Sequence, residues 1–193
     1  MALKLNEKDP RVIKTRRLIQ EAIFNLSKVK NFDAITVSDI AKKAEINRST
    51  FYAHFQDKYD LLESIVSDQL EYFISKRNGD KLEITEEVIR NLILSICDYH
   101  EDLSQRCKNS YRSFASVIEI KAKVQLRQVM LTLFMKNENK FAHDKVKIEL
   151  IFTMVSSAIY DGVQYWYSLG KKVNSIILVE EMLPFIMTYF TLL

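Results

Sequence analysis

The chain has 193 residues, 48% of them hydrophobic, and a net charge of +3 at pH 7. Only three glycines and two prolines are present, which excludes folds rich in strands and tight turns and predicts an all-α protein. No apolar stretch is long enough to span a bilayer, and the N-terminus lacks the apolar region of a signal peptide. We therefore expect a cytoplasmic protein that is not a membrane protein.

The positive charge is concentrated in the N-terminal part of the chain. Residues 1–58 hold 12 Lys or Arg against 7 Asp or Glu, whereas residues 59–193 hold 16 against 18. A basic segment is typical of proteins that bind nucleic acid, but a modest excess is also common on an ordinary solvated surface. The charge alone leaves both interpretations open.

The first predicted helix begins at Asp9-Pro10, where Asp can cap the helix and Pro suits the first helical position. Apolar residues then recur with helical spacing from Val12 to Val29 and predict one buried face. The opposite side is basic and carries Arg11, Lys14, Arg17 and Lys28. This pattern predicts a surface helix.

Two much shorter helices follow. Thr36 and Asp39 form a variant of the capping box, which predicts a helix of two turns after Thr36. Glu45-Ile46 then turns the chain, Asn47 can cap again, and residues 48–55 form the second short helix. Helices this short are barely stable alone, so neighbouring elements must hold them in place.

Longer helices occupy the rest of the chain. The fourth helix, 57–78, ends at Asn78-Gly79, and the pattern beyond it predicts four more helices, with Pro184 kinking or interrupting the last. The predicted domains are residues 1–58, a helix-turn-helix module, and residues 59–193, a larger helical domain, with the fourth helix connecting them.

The outer face of residues 48–55 is suited to the DNA major groove. Phe51 and Phe55 share the buried face, so the remaining side chains point outwards and are small or polar. Arg48 can donate two hydrogen bonds to guanine, while Ala53 or the Thr50 methyl can contact a thymine methyl. The side chains suited to phosphate oxygens are those of Tyr52, His54, Thr36 and Lys58. A purely structural helical corner is the alternative.

The segments 36–41, 48–55 and 58–62 together closely resemble the signature of the tetracycline-repressor (TetR) family of bacterial transcriptional regulators. The match covers about residues 10–65. It implies that the second short helix faces the groove, with Ser38 beside it, and that Lys58 meets the DNA backbone. With Asn47 at the helix start, the predicted DNA-binding residues are Thr36, Ser38, Asn47, Arg48, Ser49, Thr50, Tyr52, His54 and Lys58.

One position departs from the family pattern. The turn carries Glu45 where the family usually has Gly. A non-glycine residue forced to positive φ costs on the order of 1 kcal/mol, so we expect either a different turn or strain absorbed by packing. An acidic side chain there can also weaken the affinity for DNA.

The resemblance also implies that residues 59–193 dimerise and sense a ligand. Apolar stripes on the last two helices predict a four-helix interface between two chains, with the intramolecular core as the alternative. The predicted interface residues are Phe152, Val155, Ile159, Gly162, Val163, Phe185 and Tyr189. Aromatic and Met side chains on the central helices are typical of a core, yet some can line a ligand pocket. The candidates for the pocket are Tyr99, Tyr111, Phe114, Met154 and Trp166.

No enzyme is expected, because the sequence shows no nucleophile with its base, no phosphate-binding glycine loop and no paired carboxylates. No cofactor or metal site is expected either, since the three histidines are far apart and the two cysteines are ten residues apart. The expected partners are double-stranded DNA, a second copy of the chain and a small-molecule effector. The sequence favours a ligand-responsive homodimeric repressor that binds a palindromic operator. The alternative is a co-regulator or protein-interaction module of the same fold with weak DNA contact.

Overall fold

The computed structural model describes residues 6, 9–79, 83–106, 111–135 and 145–191, and the side chains of 111–114 are outside this description. These residues form eight α-helices, with a 3-10 turn at Phe32–Ala34 between α1 and α2. The prediction of an all-α fold is confirmed. The helices are α1 Pro10–Ser27, α2 Val37–Lys43, α3 Arg48–His54, α4 Lys58–Asn78, α5 Glu86–Arg106, α6 Tyr111–Met135, α7 Lys145–Ser168 and α8 Ser175–Phe190.

The chain divides into two compact units. Unit 1 contains residues 1–66 and 103–118, and unit 2 contains residues 67–102 and 119–193. The helix-turn-helix elements α2 and α3 are both in unit 1, as is the beginning of α4. The predicted domain boundary at residue 58 stays a prediction.

The core of unit 1 is a small apolar cluster that supports the short helices. Ile19, Phe32, Ile40, Phe51 and Leu61 are all fully buried and come from five successive elements. Each short helix therefore buries one face against longer neighbours. This burial supplies the stability that two turns of helix lack on their own.

Buried apolar side chains form the core of unit 2, and ion pairs join its helices at the surface. The guanidinium of Arg77 on α4 donates to both carboxylate oxygens of Asp98 on α5, at 2.7 and 3.0 Å. The hydrogen bond to Asp98 raises the pKa of Arg77 above its ordinary value. Lys123 on α6 lies 2.7 Å from a carboxylate oxygen of Asp161 on α7, and Arg90 pairs with Glu180 on α8.

Pro184 and Cys97 both lie within helices of unit 2. Pro184 does not interrupt the last helix, because α8 continues from Ser175 to Phe190. Cys97 is buried, and burial raises the pKa of its thiol to about 12, so the thiol is protonated near neutral pH. Cys107 lies outside the described residues.

Within the described ranges, none of the helices combines the length and the apolar character that crossing a bilayer requires.

Candidate nucleic-acid interface

The N-terminus of α2 is fixed by a reciprocal pair of hydrogen bonds. The Asp39 backbone N–H donates to Thr36 Oγ1 at 3.1 Å, and the Thr36 backbone N–H donates to Asp39 Oδ2 at 3.0 Å. The backbone N–H and then the hydroxyl of Thr36 hold the pKa of Asp39 below its ordinary value. The capping box satisfies two donors that a helix start leaves open, so α2 begins at a defined residue.

The turn between α2 and α3 is a Schellman motif with Glu45 at its left-handed position. The Ile46 N–H donates to the Ala41 carbonyl at 3.0 Å, and the Glu45 N–H donates to the Lys42 carbonyl at 3.3 Å. Glu45 has φ 57° and its side chain is exposed. The turn is therefore built as if it held glycine, and the chain accepts a non-glycine residue at positive φ.

Two buried phenylalanines attach α3 to the rest of unit 1. Phe51 and Phe55 are 0% and 3% exposed, and their ring centroids are 5.9 Å apart. Asn47, just before α3, is extended and makes no side-chain hydrogen bond to the helix start. The pattern that predicted an inner face at Phe51 and Phe55 is confirmed.

The opposite face of α3 is open to solvent. The exposed members of the predicted DNA-binding set here are Asn47, Arg48, Ser49 and Tyr52, together with the neighbouring Ala53, whereas Thr50 is half-buried. Thr36 and Ser38 are also exposed, at the start of α2. The structure therefore gives both short helices an exposed polar surface.

Arg48 lies along the outside of α3 beside Tyr52. Its Nη2 is 3.5 Å from the Tyr52 hydroxyl, and its guanidinium carbon is 6.0 Å from the centre of the tyrosine ring. Both distances are at the long end for their interaction types, so the contact is weak. The guanidinium can leave the tyrosine for another acceptor at little cost.

His54 is half-buried at the end of α3. Its Nδ1 is buried and has no hydrogen-bond partner among the described residues. Burial, and second the positive charge of Arg16, lower the pKa of His54. The imidazole is therefore neutral near pH 7 and can donate one N–H but carries no charge toward a phosphate.

Lys58, predicted to meet the DNA backbone, is engaged within the protein. Its ammonium donates to the carbonyls of Phe32, Asp33 and Ile35 at 2.9, 2.9 and 3.0 Å. An ammonium has three N–H groups, and these three bonds use all of them. A hydrogen bond from this side chain to a phosphate would replace one of the carbonyls, so the phosphate contact stays a prediction.

Arg16 lies at this site although no sequence motif singled it out. Its Nη2 donates to Ser64 Oγ at 2.7 Å, and its guanidinium carbon lies 4.9 Å from the centre of the Phe55 ring. Arg16 thus connects α1 with the end of α3 and with α4. Its spacing of four residues from Val12 and three from Ile19 places it at the edge of the apolar stripe, which was the signal available in the sequence.

The predicted ligand-pocket residues differ in exposure. Tyr99 is fully buried, whereas Met154 is 42% exposed. Trp166 is half-buried and donates from Nε1 to the Val173 carbonyl at 2.9 Å. The side chains of Tyr111 and Phe114 lie outside the described part, so the pocket as a whole stays a prediction.

The predicted dimer residues divide into buried and accessible ones. Phe152, Val155, Ile159 and Val163 are fully buried within their own chain and leave no surface for a second chain. We therefore correct their assignment: this stripe of α7 belongs to the core of unit 2. The other three residues are Phe185, which is exposed, and Gly162 and Tyr189, which are half-buried.

Gly162 has an internal role in unit 2. A Cβ at this position would lie 2.5 Å from Met182 Cε of α8. The absent side chain therefore leaves room for the side chain of Met182 against α7. The predicted role of Gly162 in the dimer interface stays a prediction.

No group of three or more His, Cys, Asp or Glu side chains within the described ranges is placed to hold a metal ion.

Residues 19–65 match the family model for bacterial regulatory proteins of the tetR family. A segment of 59 residues is 39% identical to YxbF of Bacillus subtilis (strain 168), which is described as an uncharacterized HTH-type transcriptional regulator. This match covers 30% of the present chain and only 16% of the length of YxbF. The likeness to YxbF therefore concerns one module.

Solved structures resemble nearly the whole chain. The dihydroxyacetone kinase operon activator DhaS has a TM-score of 0.61 at 20% identity, and the match covers 93% of this chain and 98% of DhaS. RolR in complex with resorcinol has a TM-score of 0.57 at 16% identity, with 90% and 87% covered. Identities this low establish the fold alone. Residues 19–65 therefore form a module of the tetR family type, and nearly the whole chain shares its fold with these two structures.

Proposed function

We propose that this protein is a cytoplasmic, sequence-specific transcriptional regulator that binds a palindromic operator as a homodimer and is released by a small-molecule effector. The observation that carries the proposal is the two-sided construction of α3. Phe51 and Phe55 fix one side in the core, and Arg48, Ser49 and Tyr52 project from the other. A short helix held from behind with a polar outer face is the arrangement that enters a major groove.

The groups on this surface divide by what they can contact. Arg48 is the side chain best suited to a base edge, because a guanidinium can donate two hydrogen bonds to guanine. Ser38 and Tyr52 are exposed and carry hydroxyls that can donate to phosphate oxygens, whereas the Thr36 hydroxyl donates to Asp39 Oδ2 at 2.9 Å. Phosphate contacts of this kind position the protein, while Arg48 specifies the sequence.

A second copy of the chain is proposed to cover apolar side chains of α7 and α8. Leu150, Met154 and Tyr165 are exposed on α7, and Ile177 and Phe185 are exposed on α8. Large apolar side chains clustered on two adjacent helices are typical of an interface between chains. Two copies of α3 about 34–36 Å apart would read the two halves of a palindrome.

The proposed effector is a small molecule, by analogy with RolR, whose structure contains resorcinol. We propose repression that the effector relieves. DhaS is described as an operon activator, so the same fold also serves positive control. A reporter gene behind the selected operator distinguishes the two signs of regulation.

The test begins with selection of a duplex by the wild-type protein from random-sequence DNA. Arg48→Ala is expected to weaken binding to that duplex by about 1–3 kcal/mol per half-site, because it removes a base contact. Arg17→Ala is the matched control, since Arg17 is an exposed arginine of α1 that pairs with Glu21 at 2.9 Å. Selection of no preferred sequence, or equal binding by both variants, would contradict the proposal.

The second candidate function is a co-regulator that binds another protein and contacts DNA weakly. It is favoured by the exposed carboxylate of Glu45 and by the internal use of the Lys58 ammonium, since both reduce the attraction for phosphates. The salt dependence of binding separates the candidates. A regulator that neutralises phosphates loses affinity steeply as salt rises, whereas a weak DNA contact gives a shallow slope.

A further inference from the structure

The three carbonyls that Lys58 binds all belong to the segment that leads into α2. Phe32 and Asp33 are part of the 3-10 turn, and Ile35 directly precedes the capping residue Thr36. Lys58 is the first residue of α4. One side chain therefore ties the start of α4 to the backbone that determines where α2 begins.

The Lys58 side chain is partly buried and held by aromatic rings as well as by carbonyls. Its Nζ lies 4.8 Å from the centre of the Phe32 ring and 5.5 Å from that of Tyr59. Phe32 and Tyr59 themselves pack edge to face, with centroids 5.4 Å apart. Three carbonyl acceptors and two aromatic rings surround the ammonium, so these contacts determine its position.

Arg16 supplies a second attachment of α4 in unit 1. It donates to Ser64 of α4 while its guanidinium lies over Phe55 at the end of α3. The first turns of α4 are thus linked to the segment before α2 by Lys58 and to the end of α3 by Arg16. These links hold the first turns of α4 and the two short helices in one arrangement.

We propose that Lys58 is a positioning residue for DNA recognition and that its ammonium is not a phosphate ligand. By holding the backbone before Thr36, it sets the orientation of α2 and, through the turn at Glu45, that of α3. The inference rests on the proposed DNA-binding function. In this role Lys58 affects how well the protein discriminates between DNA sequences. A lysine that only binds a phosphate does not, because the phosphate is the same in every sequence.

The two roles predict opposite results for Lys58→Met. A phosphate ligand contributes equally to every sequence, so its loss lowers specific and non-specific affinity together and reduces the salt slope by about one per protomer. Loss of a positioning residue lowers affinity for the selected duplex by about tenfold or more, while affinity for a scrambled duplex and the salt slope stay unchanged. A variant that only folds less well contains less active protein, so its apparent affinities for both duplexes fall together and their ratio stays unchanged.

Lys58→Arg sharpens the test because it keeps the positive charge. A guanidinium binds phosphate well, but its planar N–H groups cannot converge from one nitrogen on three carbonyls. We expect this variant to lose affinity for the selected duplex with a wild-type salt slope, and wild-type affinity would overturn the proposal. Should Lys58→Met fail to fold, Lys58→Arg alone supplies the comparison.

Lys43→Met is the matched control, since Lys43 is an exposed lysine in the last turn of α2. It should keep wild-type stability and the wild-type ratio of specific to non-specific affinity. Hydrogen exchange without DNA supplies an independent measurement: the hydrogen-bonded amides of Thr36, Asp39 and Ile40 should exchange faster in Lys58→Met and at wild-type rates in Lys43→Met. If the wild-type protein selects no duplex, the proposed function fails. If it selects one and Lys58→Met keeps the specificity ratio and the slow exchange, only the present inference fails.

Discussion

The pair α2–α3 and the pair α7–α8 reach a defined structure by different means. The short helices bury one apolar face and are held in addition by side chains that bond to the backbone: Thr36 and Asp39 close a capping box, and Lys58 binds three carbonyls. The long helices depend on buried apolar side chains and on the close contact of Gly162 with Met182. In unit 2, charged side chains bind one another across helices, as in Arg77 with Asp98.

Helix length explains the difference. A helix of two turns makes few backbone hydrogen bonds, so each group at its ends contributes a large share of its stability. A helix of four or more turns satisfies most of its backbone internally and gains stability from an apolar face. Single polar contacts should therefore matter most in unit 1, and changes of apolar surface should matter most in unit 2.

The largest expected effect is on association through the apolar surface of α8. Phe185 is 75% exposed in the single chain. If a second chain buries Phe185, burial of this side chain contributes about 1.5–3 kcal/mol of hydrophobic free energy for each of the two copies. Phe185→Glu removes that contribution and places two negative charges in the interface. Sedimentation equilibrium should show a monomer where the wild type is a dimer.

Ile120→Glu is the matched control for that experiment. Ile120 on α6 is also exposed, at 66%, but it belongs to neither α7 nor α8. This variant should sediment as the wild type does. A dimer that persists with Phe185→Glu would show that the chains associate elsewhere or that α8 stays in solvent.

The next effect is the pH dependence of unit 2. His100 is buried, its ring lies 5.3 Å from that of Tyr160 and 5.7 Å from that of Tyr167, and burial lowers its pKa to about 4. The ordinary value is about 6.5, so the unfolded chain takes up a proton first. The stability is complete above pH 6.5 and falls by about 3 kcal/mol as the pH drops to 4.

His100→Phe should remove this part of the pH dependence while retaining a ring between the two tyrosines. Urea unfolding at several pH values between 4 and 7 measures it for both proteins. As the pH drops from 7 to 4, the stability of the wild type should fall by about 3 kcal/mol more than that of His100→Phe. Parallel profiles would mean that His100 takes up its proton at an ordinary pKa.

A smaller loss is expected from the capping box. Thr36→Ala removes the oxygen that accepts the Asp39 N–H and should destabilise the protein by about 1 kcal/mol. Thr15→Ala serves as the control, because Thr15 lies inside α1 and its hydroxyl binds the Arg11 carbonyl of the preceding turn. Chemical denaturation should show a loss for Thr36→Ala alone. Equal stability of the two variants would mean that the box adds nothing to α2.

The smallest effect has the opposite sign. Glu45→Gly should stabilise the protein by somewhat less than about 1 kcal/mol, because glycine adopts positive φ without strain but adds entropy to the unfolded chain. Glu71→Gly, at an exposed position inside α4, should instead destabilise by about 1 kcal/mol. Thermal unfolding of both variants decides the sign. A loss at position 45 would show that the glutamate side chain contributes more than the backbone strain costs.

The sequence predicted the fold well where the determining interactions are local. The capping box at Thr36, the helix end at Gly79 and the inner face at Phe51 and Phe55 all involve residues within four positions of one another, and all are confirmed. The bonds of Lys58 span 23 to 26 residues, so no local pattern contains them.

Helical periodicity also failed to identify the partner of an apolar face. Phe152 and Val163 belong to a clear stripe, but the same stripe suits a core or an interface, and the structure uses it for the core. The other face of α7, which includes Met154 and Tyr165, is exposed. Burial depends on which elements pack together, and that information is not in the spacing.

The left-handed glutamate at the α2–α3 turn has a genetic consequence. Glutamate and glycine codons differ by one base, so a single nucleotide substitution replaces Glu45 with the residue that suits its φ of 57°. A mutant library screened for heat tolerance should therefore recover this replacement early. Because the same substitution removes a negative charge beside the proposed DNA surface, the recovered clones should also hold their operators more tightly at low salt.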